Sequence, residues 1–79
     1  MTEPLLGTIF LFAGNFAPVG YSMCEGQILP INQNVALFSI LGTTYGGDGV
    51  KTFALPKLSG PIAGTTYIIA LNGVFPSRD

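Results

Sequence analysis

Chemistry needs paired groups, and this chain supplies few. Ser22, Ser39, Ser59 and Ser77 are candidate nucleophiles, but the sequence contains no histidine to act as their base. A hydroxyl without an adjacent base is a weak nucleophile, so a serine triad is excluded, and the single Cys24 likewise has no histidine partner. The acids Glu3, Glu25, Asp48 and Asp79 are spread over separate loops and the two ends, which separates them too far for paired-carboxylate catalysis. One cysteine forms no internal disulfide, and without histidine there is no Cys/His zinc site. Cys24 reads instead as a small buried hydrophobe. Neither catalysis, a metal nor a cofactor is expected.

The stretch with the most unusual composition is Thr43 to Val50, TTYGGDGV. Three glycines and an aspartate imply positive φ at more than one position. Consecutive backbone N–H groups in such a loop can cradle an anion. The spacing argues against a nucleotide, because Gly49 is followed by Val50 before Lys51 and no helix comes next. No strand precedes the glycines within a βαβ unit, so the dinucleotide fingerprint fails as well. A tight structural loop is the reading that remains. Tyr45, Gly46, Gly47 and Asp48 are the candidate ligand loop, and Tyr21, Tyr67, Asn15 and Asn32 could add stacking and hydrogen-bonding groups for a glycan.

The elements that must position these groups are short. Gly7 to Ala13, GTIFLFA, and Tyr67 to Val74, YIIALNGV, are strands that are apolar on both faces. Tyr21 to Ile31 reads as a hairpin turning at Glu25–Gly26. Gln33 to Leu41 is the single helix, with Asn32 or Asn34 as its N-cap and Gly42 as its terminator. So short a helix is unstable alone in water, so Leu37 and Leu41 must rest on a sheet. Thr52 to Leu55 is a short edge strand closed by Pro56, Lys57 to Thr66 is a connector, and Ser77 to Asp79 is a polar tail. Pairing the two long strands would draw the termini together at the centre of the sheet. The expected fold is α+β: a small, mostly antiparallel sheet with one short helix on it, forming a single domain over 1–79.

Composition sets the partners. Hydrophobic residues make up 48% of the chain and charged residues 9%, with a net charge of −1. A chain of this size buries only ~60–65% of the surface its unfolded form exposes. A monomer therefore cannot hide so many apolar side chains, and a homo-oligomer is expected. The interface is placed on the strand faces near Ile9, Leu11, Ile68 and Ala70. Three scattered cations, Lys51, Lys57 and Arg78, cannot form the basic stripe that nucleic acid requires. The longest apolar runs, Ile9 to Ala13 and Tyr67 to Leu71, are too short to span a bilayer, and MTEPLLG is no secretory signal.

The run ALFSILGTTYGGDGVKTFALP, followed by Leu58 and Gly60, resembles the phage tail collar domain of tail fibres and of bacterial microcystin-dependent proteins. Gly20–Tyr21 and the turn Cys24-x-Gly26 resemble the opening of that family. The likeness runs from Gly7 to about Leu58, and the closing YIIALNGVFPSRD is similar to the last strand of longer bacterial members. Members of the family usually carry a long segment, often with a proline–x–histidine–x–histidine motif, where this chain has only the ten residues from Lys57 to Thr66. The resemblance thus implies a non-enzymatic structural module, commonly trimeric, in a virion or phage-tail-like particle, or otherwise in the bacterial cytoplasm. A receptor- or glycan-binding module using Tyr45–Asp48 is the alternative.

Overall fold

Leu37 and Leu41 lie one helical turn apart, and both are buried in the core. In the computed structural model, which describes residues 4–76, they belong to a cluster with Leu6, Cys24, Phe53, Leu55 and Ile69. Cys24 is buried there, as expected of a small hydrophobe, and burial pushes its thiol pKa up. The polar tail expected at 77–79 lies outside the described residues, as does the start of the N-terminal lead.

Seven short elements follow one another: β1 (Ile9–Phe12), β2 (Tyr21–Met23), β3 (Ile28–Pro30), a 3₁₀ turn (Ile31–Gln33), α1 (Val35–Leu41), β4 (Thr52–Ala54) and β5 (Thr66–Ala70). β1, β5 and β2 form one antiparallel sheet in that order, and β3 with β4 forms a second. The fold is therefore the expected small α+β one. Both long strands are shorter than their apolar runs, because each run ends in irregular chain. β5 is the central strand and β1 an edge, so only one of the two termini leads from the middle of the sheet. Leu5 and Val74 form a parallel bridge that does draw the two ends of the chain together.

The expected hairpin at Glu25–Gly26 is not formed. β2 pairs with β5, whereas β3 pairs with β4 through Ile28↔Ala54, Leu29↔Phe53 and Pro30↔Thr52. The physical reason lies at the turn itself. Gly26 N–H donates to Pro56 O at 3.2 Å and Leu55 N–H to Gln27 O at 2.9 Å. The backbone after Cys24 thus satisfies its polar groups on the 55–57 segment and carries β3 away from β2.

The helix begins at Val35 rather than Gln33, because Ile31–Gln33 takes up a separate 3₁₀ turn. Asn34 occupies the N-cap, but its side chain makes no capping bond; its Nδ2 donates backward to Pro30 O at 3.0 Å. Gly42 ends the helix with φ +57°, and its N–H donates to Phe38 O at 2.7 Å.

Register explains how a strand apolar on both faces is buried by so small a chain. Ile9, Leu11, Tyr67 and Ile69 share the core face, because Ile9↔Ile69 and Leu11↔Tyr67 are opposed pairs. Phe10, Ile68, Tyr21 and Ala70 share the other face, through Phe10↔Ile68 and Tyr21↔Ala70. The rings of Phe10 and Tyr21 come from the two outer strands and meet edge to face, with centroids 6.0 Å apart. They close over β5, so Ile68 and Ala70 are only 4% and 0% exposed.

Candidate functional site

The glycine loop is built around one carboxylate. Asp48 Oδ1 accepts N–H bonds from Val50, Lys51 and Thr52 at 2.8, 2.9 and 3.0 Å. A carboxylate bonded to several backbone N–H groups favours its charged form. These bonds, led by that from Thr52, lower the Asp48 pKa to about 2. Thr52 completes the arrangement: its Oγ1 accepts from Asp48 N–H at 3.2 Å, and its carbonyl accepts from Gly49 N–H at 2.9 Å. Gly46 O takes the N–H of Ala54 at 3.1 Å, which ties the loop along the outer edge of β4.

Gly47 makes this approach feasible. Its φ is +92°, and a Cβ there would meet the Phe53 backbone and Thr52 O at 2.7 Å. Backbone lies against backbone at this point, which only glycine permits. The expected repeated positive φ values are present, at Gly46, Gly47 and Gly49.

Tyr45 and Asp48 are brought together in this loop, and both are exposed. The other tyrosines are not gathered with them. Tyr21 and Tyr67 sit on opposite faces of the three-stranded sheet, Tyr67 packing against the core. Asn32 instead joins Pro30, Ile31, Val50, Lys51 and Thr52 around an open groove of about 570 Å³. Sequence reasoning missed this groove, because the β3–β4 register creates it and no local pattern announces that register. Among the described residues, no three His, Cys, Asp or Glu side chains cluster in a way that could hold a metal. No helix among them is long and apolar enough to cross a membrane.

The residues expected at the interface divide by face. Ile9 and Leu11 are exposed at 37% and 47%, on the core side of β1. Ile68 and Ala70 lie on the opposite side, beneath Phe10 and Tyr21. Around β1 the exposed apolar surface extends to Phe10 and to Phe16, whose ring packs edge to face on Phe12 at 5.4 Å.

Residues 7–63, well over half of the chain, match the family described as Phage Tail Collar Domain. The chain belongs to the phage tail collar domain family, a structural domain of phage tails. No curated protein and no solved structure matches it.

Proposed function

We propose that this chain is a non-enzymatic structural and assembly module of a phage tail fibre or phage-tail-like particle, and that it self-associates into a homo-oligomer. The observation that carries this reading is the pairing of family membership with uncovered apolar surface. Phe10 and Leu11 on β1, and Phe16 in the loop that follows it, are all exposed, in a chain with very few charges. For the copy number, the family resemblance implies three.

The alternative, glycan or receptor recognition by Tyr45–Asp48, draws less support. Tyr45 offers a half-exposed ring, but one oxygen of the Asp48 carboxylate already accepts three backbone N–H bonds. Sedimentation equilibrium and a glycan array on the same preparation separate the two. The structural reading expects a multiple of 8.3 kDa and no glycan signal. A monomer that binds a glycan, and loses that binding in Tyr45→Ala, overturns it.

A further inference from the structure

Asn72 and Gly73 sit where the two ends of the chain are tied together. Leu71 N–H donates to Gly20 O at 2.9 Å, and Val74 N–H to Pro4 O at 3.0 Å. Val74 O in turn accepts from Leu6 N–H at 2.9 Å, which closes the parallel bridge between Leu5 and Val74. Asn72 and Gly73 are the two links between these ties. Both are exposed, and with Pro4, Val19, Gly20 and Tyr21 they line a cleft of about 150 Å³. Gly73 has φ +144°, and a Cβ there would collide with Pro4 O, so the closure requires glycine.

Glycine at that position leaves the asparagine before it open to attack. The side-chain amide carbon of an asparagine lies within reach of the next residue's backbone nitrogen, and a side chain on that residue obstructs ring closure. The nitrogen must also lose its proton, which a hydrogen bond donated through that N–H opposes. Of the four asparagines, only Asn72 precedes a glycine; Asn15, Asn32 and Asn34 precede Phe16, Gln33 and Val35. Asn34 is further tied through Nδ2 to Pro30 O. Among the described residues, Gly73 N–H donates no hydrogen bond. Asp48–Gly49 has the other dipeptide suited to this ring closure, and there the fold blocks both partners. Gly49 N–H donates to Thr52 O at 2.9 Å, and Asp48 Oδ1 holds three backbone N–H groups.

We propose that Asn72–Gly73 is a self-modification site, at which the folded chain deamidates through a succinimide. Asparagine is among the thermolabile residues, and the route here is explicit. Gly73 N loses its proton to hydroxide and attacks Asn72 Cγ; the N–Cγ bond forms, the Cγ–Nδ2 bond breaks, and Nδ2 leaves as ammonia. Water then opens the ring. Attack at Cγ leaves aspartate, whereas attack at the main-chain carbonyl of residue 72 leaves isoaspartate. Either product makes the chain one charge more negative beside the cleft. Isoaspartate also adds one carbon–carbon bond, roughly 1.5 Å, to the main chain between the ties at Gly20 and Pro4. Val74 then no longer meets Pro4 and Leu6 in register, so the closure loosens while the core is untouched. The modification depends on neither self-association nor glycan recognition.

The test holds the intact chain at mildly alkaline pH and follows it by anion exchange and peptide mapping. An acidic species should accumulate, faster as pH rises, and map to Asn72 as mixed aspartate and isoaspartate. It should be lost in Asn72→Gln, where the ring would have to gain a sixth atom. Asn15, Asn32, Asn34 and Asp48 should stay unmodified in the native chain over the same period. The rate at Asn72 should be close to its rate in urea, because the fold already leaves this pair open. A reaction confined to urea, or an acidic species that maps elsewhere, overturns the proposal. The purified isoaspartate fraction should melt below wild type, while Asn72→Asp, which adds the charge without the extra carbon, should not. Equal melting of the isoaspartate fraction and wild type would overturn the link to the closure.

Discussion

Replacing Leu37 by alanine asks whether one buried side chain holds the helix to the sheets. Leu37 is 1% exposed and is surrounded by Leu41, Phe53, Leu55 and Ile69, residues drawn from three separate segments. Phe38, on the same helix, packs its ring at a tilt against Phe53 with ring centroids 5.5 Å apart, so the surroundings are braced and cannot collapse freely into a void. Truncation therefore removes both the transfer energy and the packing, for a cost of ~2–5 kcal/mol. The whole domain is worth on the order of 4–12 kcal/mol by its length. A loss near 3 kcal/mol lowers the melting temperature by about 12–24 °C. Urea melts at one fixed protein concentration measure it, with Val35→Ala as the control on the same helix. Val35 is 62% exposed, and its substitution should change stability by less than ~0.5 kcal/mol. If Leu37→Ala costs under about 1 kcal/mol, or no more than Val35→Ala, the core assignment fails.

Gly47→Ala should destabilise by more than the ~1 kcal/mol that such a change can gain at a permissive site, because the new Cβ would meet the β4 backbone; an unchanged urea midpoint would refute the close approach. Asp48 contributes stability that is present above the ordinary carboxylate pKa near 4 and is lost as pH falls through about 2, since folding lowers its pKa. The urea midpoints of wild type and Asp48→Ala should therefore differ at neutral pH and converge below pH ~2, and a pH-independent difference would show that the carboxylate charge is irrelevant. Cys24 has its pKa raised by burial, so its stabilising contribution is full below the unfolded thiol pKa and declines as pH rises above it. It should resist alkylation by iodoacetamide until the chain unfolds, and rapid labelling of the native protein would contradict its place in the core.

Local features with strong stereochemistry were legible in the amino-acid sequence. Leu37 and Leu41 recur at helical spacing, Gly42 breaks the pattern, and three glycines around Asp48 announce a loop of positive φ. The apolar strands around Ile9 and Ile68 do pair with each other. What could not be read was which short strand finds which partner. β2 and β3 are three residues each and flank a Glu–Gly pair, a local pattern suited to a hairpin. The hydrogen bonds that separate them come from Pro56 and Leu55, some thirty residues away. Asn34 was legible as a cap position but not as a donor to Pro30, because that choice depends on the preceding 3₁₀ turn. In the loop, glycine content pointed to backbone geometry, while the three bonds to Asp48 depend on where β4 begins. The candidate interface was readable as composition but not as a face. Ile9 and Ile68 lie on opposite sides of the sheet, and the rings of Phe10 and Tyr21 cover β5 from within the chain.

Self-association is the central claim, and the dependence of melting temperature on protein concentration, read beside light scattering, tests it most directly. When association stabilises the fold, the melting temperature must rise with concentration, because only the folded state binds its partner. The account predicts that rise together with a mass that is a multiple of 8.3 kDa at micromolar concentration. A folded 8.3 kDa monomer whose melting temperature ignores concentration would contradict it.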